Sequence, residues 1–231
     1  MDALHLLRRG GWLPLLVLAL VARGQTPSPD LGLLLKMTPQ YVVVGGYWLE
    51  VEQRWNQHPR QSFLVAPQVY AGPVGRPNQQ HTDFLGTDES EKVRGAGLQV
   101  LHRWYLSESK TAYPSGLYVS YGPSFQHLAV SRQGMGWKEV TGPTGLPLLE
   151  YRYGRHTETI NRYGATAQLG YQAPLLPGRV FLDLYAGLGW RESQSRTNSR
   201  PVSSRYRLGT SDYGHQGFYF PAGVKIGVAI R

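Results

Sequence analysis

The chain contains no cysteine among its 231 residues. A disulfide scaffold, a cysteine-based metal site and a lipid-anchored lipoprotein are therefore excluded. Two further features are missing: after residue 24 no apolar run is long enough for a transmembrane helix, and no helical periodicity is sustained over three turns. What the chain does have is 28 glycines and 15 tyrosines, distributed through many short alternating runs. That composition is typical of a single all-β domain, either a barrel or a sandwich.

The amino terminus has the organisation of an export signal. Arg8 and Arg9 precede an apolar run over 12–22, and the run leads into Ala-Arg-Gly, a small-x-small cleavage site. These eleven residues are too few to span a bilayer as a helix, which makes a retained membrane anchor the weaker interpretation. We therefore predict a signal peptide over 1–24, a linker over 25–30 and one domain over 31–231. Cleavage lowers the formal charge from +9 to about +7.

Eight segments of the mature chain alternate between apolar and polar residues as β-strands do. The predicted strands are Leu31–Thr38, Val44–Trp55, Ser62–Gly72, Val93–Leu106, Gly116–Val130, Ile160–Gln172, Arg179–Glu192 and Gly217–Ile230. After the first one, the links between them alternate between short and long, and the long links are 73–92, 131–159 and 193–216. Short turns at one rim and long loops at the other are typical of a transmembrane β-barrel. In the short first link, Thr38–Gly46, the segment Tyr41–Val44 could extend the second strand or form a short plug.

One strand shows which of its faces meets water. In RVFLDLYAGLGWR, every second residue from Val180 to Trp190 is apolar or alanine, whereas Asp183 lies on the opposite face with glycines and aromatics. Isolated charges of both signs recur on the equivalent face of the other strands. We interpret this face as the lumen of a narrow barrel and the oily face as lipid-facing. The predicted lumen charges are Lys36, Glu50, Glu52, Arg103, Arg162, Asp183 and Lys225.

These lumen charges have two interpretations. They could pair with one another to fill the barrel, which we favour because eight strands leave little room for water, or they could line a narrow pore. We expect Lys225 of the last strand to be the partner of Asp183. Aromatic residues at the ends of the oily faces fit interfacial girdles: Trp55, Trp104, Tyr171, Trp190 and Phe218. The remaining alternative is a soluble sandwich or lipocalin-like periplasmic carrier whose oily faces form its core.

The segments LLLKMTPQ, WLEVEQRW, GATAQLGYQ, FLDLYAGLGW and FPAGVKIGVAI together resemble the small outer-membrane β-barrels of the OmpA/OmpX type, and cover most of the mature chain. The resemblance implies an eight-stranded antiparallel up-and-down meander in the outer membrane of a Gram-negative bacterium. It implies the barrel-assembly machinery as a partner during biogenesis. It does not specify a function, and the expectation is a monomeric, non-catalytic cell-envelope protein that acts structurally or through its extracellular loops.

Catalysis has little support in the sequence. Ser124 and His127 are separated by an odd number of positions and so lie on opposite faces of a strand. His156 and Glu158 share a face, and Ser131 could reach them from the neighbouring strand, so a lipid A hydrolase is the enzymatic alternative. No metal-ligand spacing and no phosphate-binding loop are present. We expect no cofactor, no metal and no nucleic-acid partner.

The third long link is basic and offers a partner outside the barrel. Arginine binds phosphate in a bidentate manner, so this loop could hold the phosphates of lipopolysaccharide in the surrounding outer membrane; the alternative is a solvated loop. The arginines concerned are Arg196, Arg200, Arg205 and Arg207.

Overall fold

The computed structural model describes residues 32–74, 91–106, 115–176, 179–198 and 213–230. They form nine strands and one 3-10 helix, Pro39–Val44. The strands are β1 (Leu33–Met37), β2 (Gly46–Arg54), β3 (Gln61–Pro73), β4 (Glu91–Tyr105), β5 (Gly116–Thr141), β6 (Pro147–Leu176), β7 (Val180–Thr197), β8 (Gly217–Tyr219) and β9 (Ala222–Ile230). Within these ranges no helix has the length and apolarity needed to cross a membrane.

The strands form a closed antiparallel ring. Each strand from β1 to β7 pairs with the next one along the chain, β7 pairs with β8 and β9, and β9 returns to β1. Since β8 and β9 pair with successive parts of β7, they occupy one position, and the ring has eight strands. Every one of the eight predicted strands overlaps an observed one, so the prediction of an all-β, eight-stranded meander is confirmed. The predicted signal peptide and linker lie outside the described residues.

The prediction of a long loop over 131–159 is wrong. Here β5 and β6 continue as a two-stranded hairpin to a turn at Gly142–Leu146. Among the residues that the structure describes, Arg132 is the last of β5 to pair with β4, and Glu158 is the first of β6 to pair with β7. The hairpin beyond these positions, which we call the ribbon, extends roughly 30 Å along the strand direction. The sequence does not reveal these strands because outside the ring no apolar interior imposes an oily face.

Two local features differ from continuous strands. The short first link folds as the 3-10 helix and ends at Gly45, whose φ of 71° is a left-handed conformation suited to glycine. The last strand is interrupted at Phe220 and Pro221, between β8 and β9. Proline has no N–H for a sheet hydrogen bond, which explains the break.

The ring has two distinct ends. Leu33 and Ile230 lie together at one of them, the lower rim, with the short turn between β2 and β3. The 3-10 helix and the ribbon lie at the opposite, upper rim.

Candidate functional site

The two surfaces of the ring differ sharply in polarity. Outward-facing apolar side chains are about half exposed, including Trp104 at 50%, Leu169 at 53% and Trp190 at 45%. Six charged side chains on the inner face are between 0 and 2% exposed: Lys36, Glu50, Glu52, Arg103, Asp183 and Lys225. Compared with a soluble barrel, this ring has reversed polarity: its apolar side chains face outward and its charged side chains face inward. This arrangement is the opposite of that expected for a lipocalin-like carrier, in which the apolar faces would form the core.

The outward apolar surface forms a belt of limited height. Along β4 and the residue that follows it, the belt runs from Leu98 to Leu106, and on β7 from Leu182 to Trp190. Each span covers nine residues, close to the 9–11 residues that a tilted strand needs to cross a bilayer. The five aromatic residues expected in girdles are all exposed, at 38 to 65%. Trp104 and Tyr171 lie towards the lower rim, whereas Trp190 and Phe218 lie towards the upper rim.

A four-charge network fills the lower half of the lumen. Lys36 Nζ donates to Asp183 Oδ2 at 2.9 Å and also contacts Glu52. Arg103 Nη1 donates to the same two carboxylates, at 3.0 Å to Asp183 and 3.1 Å to Glu52. Two cations therefore alternate with two anions. Gln172 accepts from both Lys36 and Arg103. In such a network each charge depends on its neighbours, because all four side chains are 0 to 1% exposed and a buried charge is costly without a partner.

Apolar and aromatic side chains pack below this network. Leu34, Tyr105, Tyr118 and Phe181 form one buried cluster. The hydroxyls of the two tyrosines point upward into the charges: Tyr105 donates to Glu52 at 2.8 Å, and Tyr118 donates to Asp183. The Arg103 guanidinium lies over the Tyr118 ring, with Cζ 3.7 Å from the centroid. At this level the lumen is filled with protein.

The expected pairing of Asp183 with Lys225 is wrong. The two residues face each other across β7 and β9 in register, yet Lys225 Nζ lies 2.9 Å from both carboxylate oxygens of Glu50. Its ammonium also lies 4.4 Å from the centroid of the Tyr185 ring. In a narrow barrel long side chains reach strands that are not adjacent, so register alone does not select the partner. Lys225 and Glu50 form a second pair above the four-charge network.

Arg162 belongs to neither group. It lies on the inner face of β6 nearer the upper rim, where Nε donates to Gln126 and Nη1 donates to the backbone oxygen of Tyr213 at 3.3 Å. The other six predicted lumen charges pair among themselves as three cations and three anions. Arg162 is therefore the one member of the predicted set whose described hydrogen-bond partners are all uncharged.

Arg162 lines a cavity of about 370 Å³ in the upper half of the lumen. Its wall contains a second arginine, Arg191 of β7, together with aromatic and amide side chains. The aromatic residues lining the cavity are Tyr41, Trp48, Tyr70, Tyr213, Tyr219 and Phe220, and the amide residues are Gln40, Gln99 and Gln126. Arg191 is not among the lumen residues predicted from the sequence. It is eight positions after Asp183 on the same strand, so the period of two could have assigned its side chain to the inner face.

Two of the enzymatic candidates, Ser131 and His156, are not brought together. Ser131 lies on the outer face of the ribbon base, where its hydroxyl accepts from Arg155 at 3.3 Å. His156 lies on the inner face and bonds to the backbone oxygen of Gly134 at 3.2 Å. The two side chains therefore cannot share a proton. Within the described ranges, no group of three histidine, aspartate, glutamate or cysteine side chains could hold a metal ion.

Of the four loop arginines, the structure describes one. Arg196 is exposed near the end of β7, opposite Thr159 of β6. Arg200, Arg205 and Arg207 lie outside the described residues.

Comparisons with known proteins give only distant likenesses. No family model matches the chain, and no curated protein matches it in sequence. A major outer membrane protein from Thermus thermophilus is similar in structure, with 10% identity, coverage of 86% of this chain and 98% of that chain, and a TM-score of 0.42. Acinetobacter baumannii CarO gives 10% identity, coverage of 87% and 97%, and a TM-score of 0.37. Such values leave the function to be argued from the geometry of this chain.

Proposed function

We propose that this chain is a non-catalytic outer-membrane β-barrel, similar in kind to the OmpA/OmpX proteins, whose lumen is closed by paired charges. The observation that carries the proposal is the reversed polarity of the ring. A belt of apolar side chains half exposed to water around the ring would be costly, whereas lipid accommodates them. A closed ring also satisfies its backbone hydrogen bonds internally, as a bilayer requires.

A closed lumen favours a structural role over a pore. Among the described residues, each cation of the network lies about 3 Å or less from both of its anions, and aromatic side chains pack below them, which supports a lumen without a continuous path for ions. An eight-stranded barrel is just wide enough for side chains to fill its interior.

The ribbon is the surface proposed to interact with a partner outside the cell. Its outer face carries Trp137, Tyr151 and Tyr153, which are 44, 52 and 57% exposed. Polar pairs separate these aromatics from the apolar belt, including His127 with Asn161, whose side chains lie 2.6 Å apart. With the lower rim in the periplasm, the ribbon would stand outside the cell, clear of the bilayer.

The lipid partner proposed for the upper rim is lipopolysaccharide. Arg196, Arg200, Arg205 and Arg207 would bind its phosphates. Changing all four to glutamine should weaken the association of the purified protein with lipopolysaccharide and leave its folding unchanged. Unaltered association would refute this part of the proposal. The barrel-assembly machinery is the partner proposed during biogenesis, and the folded protein is proposed to be a monomer.

Fractionation tests the location, and gel migration tests the barrel. Expressed in a Gram-negative host, the full chain should appear in the outer-membrane fraction, require detergent for extraction and migrate differently on a denaturing gel before and after boiling. Release with the periplasmic contents in the absence of detergent would contradict the proposal and restore the soluble carrier.

A further inference from the structure

The cavity in the upper half of the lumen differs in charge from the network beneath it. Below it, cations and anions are matched. The described residues lining the cavity include two guanidinium groups, those of Arg162 and Arg191, and no carboxylate. The bonds of Arg162 to Gln126 and to the Tyr213 backbone are made with neutral acceptors, so none of its described hydrogen-bond partners offsets its positive charge.

The two arginines are placed to act on one group. Arg162 lies opposite Ser193 in the β6–β7 register, and Arg191 lies two residues away on the same face. Such diagonal neighbours are about 7–8 Å apart at the backbone, within reach of long side chains. Gly164 lies directly opposite Arg191, and a Cβ there would come within 2.2 Å of the Trp190 oxygen and 2.9 Å of Arg191 Cβ. Glycine thus permits the close approach of the strands at this point.

The rest of the wall suits an organic ligand rather than a bare ion. Tyr41 stacks on Trp48 with ring centroids 3.9 Å apart, and Tyr70 meets Tyr213 edge to face at 6.2 Å. Arg191 lies over the Tyr219 ring, with Cζ 4.6 Å from the centroid. The cavity volume of about 370 Å³ lies at the small end of the range for small-molecule sites. Apolar rings with a few convergent polar groups are typical of such sites.

We propose that this cavity binds the phosphate group of a small organic ligand, with Arg162 and Arg191 as the phosphate-binding residues. A phosphate monoester carries between one and two negative charges at neutral pH, which matches two guanidinium groups. The planar fork of arginine fits phosphate oxygens with two parallel hydrogen bonds. The aromatic walls would contact the organic part of the ligand, and the Gln99 amide would contact its polar groups.

Two ways into the cavity are proposed, and they correspond to two sources of the ligand. One is the upper mouth, beside the 3-10 helix. The other is the interruption of the last strand, since Phe220, Pro221 and Ala222 all line the cavity. At the interruption, the pairing of β1 with β9 ends at Ile226. Beyond that point the Gln40 side chain, rather than a neighbouring strand, bonds to the β9 backbone, at 3.2 Å to Ala222 O and 3.1 Å to Val224 N. A soluble phosphate ester would enter by the mouth, and a lipid headgroup by the interruption.

Calorimetric titration of the full chain in detergent tests the proposal. The probes are glucose 6-phosphate with glucose as its control, and phosphatidic acid with phosphatidylcholine as its control, the lipids in mixed micelles. We expect saturable binding of at least one phosphate monoester and no binding of its control. Binding of glucose 6-phosphate assigns a soluble ligand, and binding of phosphatidic acid alone assigns a lipid headgroup.

Substitutions then locate the binding to the cavity. Arg162→Gln and Arg191→Gln should each weaken it by about tenfold or more, because each removes charge-assisted hydrogen bonds to the phosphate. Arg155→Gln is the matched control: this arginine is also on β6 but is exposed on the outer face. Arg162→Lys and Arg191→Lys keep the charge and the fold, and should also weaken binding because lysine lacks the fork.

Any one of three results would overturn the proposal. They are no saturable binding of either phosphate probe, equal binding of a phosphate probe and its control, and wild-type affinity in both arginine variants that retain heat-modifiable migration. Because the titration is done in detergent, its outcome does not depend on the membrane in which the barrel resides.

Discussion

Replacing Asp183 by asparagine tests the four-charge network. The Asp183 carboxylate is 1% exposed and accepts hydrogen bonds from Lys36, Arg103 and Tyr118. Asparagine has nearly the same shape, so the substitution removes the charge while leaving the packing in place. Lys36 and Arg103 would then share only the Glu52 carboxylate, and one positive charge in a water-poor lumen would lose its counter-ion.

The expected cost follows from the burial of the partners. Breaking a fully buried ion pair by removing one partner costs about 3–5 kcal/mol, because the other charge stays buried without compensation. Lys36 and Arg103 are 1% and 0% exposed, so this range applies to Asp183→Asn. Lys36→Met in the same chain removes the surplus cation and should recover a large part of the loss.

These effects can be measured by urea unfolding of the barrel in lipid vesicles, with heat-modifiable migration as the readout of the folded fraction. A double-mutant cycle between Asp183 and Lys36 should give a coupling of more than about 1 kcal/mol. The equivalent cycle between Asp183 and Lys225, made with Lys225→Met, should give a smaller value because Lys225 binds Glu50. A loss below about 1 kcal/mol for Asp183→Asn, or a stronger coupling to Lys225, would refute the network.

Three further predictions concern closure, packing and catalysis. In planar bilayers the wild-type protein should be silent, and Arg103→Ala, which removes one of the two cations joining Glu52 to Asp183 and the guanidinium that covers the Tyr118 ring, should give single-channel currents; wild-type currents of equal size would contradict a closed lumen. Gly164→Val should prevent formation of the heat-modifiable form, because a Cβ would come within 2.2 Å of the Trp190 oxygen, whereas Gly32→Val should fold normally since that position is open; a normally folded Gly164→Val protein would show that the strands are less closely packed. Expression should leave lipid A masses unchanged, and a change that disappears in His156→Ala would contradict a non-catalytic role.

The eight strands of the ring were predictable because each one has two different environments. An apolar outer side and a polar inner side impose a period of two along every strand that belongs to the ring. The faces assigned to Asp183 and Leu184 agree with their exposures of 1% and 46%. Beyond Arg132 this contrast disappears, so the sequence predicts a loop where the backbone continues as strand.

The sequence predicted which charged residues lie in the lumen better than it predicted which of them pair with each other. The period of a strand gives the face of a residue but neither its depth nor the reach of its side chain. Lys225 therefore fell on the correct face, while its partner Glu50 lies on a strand that is not adjacent to its own. The cavity was missed for a related reason: it joins Arg162 of one strand with Tyr213, which lies outside every predicted strand.

Quenching of single tryptophans by brominated lipid tests the reversed polarity most directly. Three variants would each keep one tryptophan: Trp190 on the apolar belt, Trp48 in the lumen, or Trp137 on the ribbon, with phenylalanine at the other positions. In vesicles of bromine-labelled phosphatidylcholine, the fluorescence of Trp190 should be strongly quenched, and that of Trp48 and Trp137 should be largely retained. Quenching of Trp48 with Trp190 unaffected would contradict the account, because it would place lipid on the inner face of the ring.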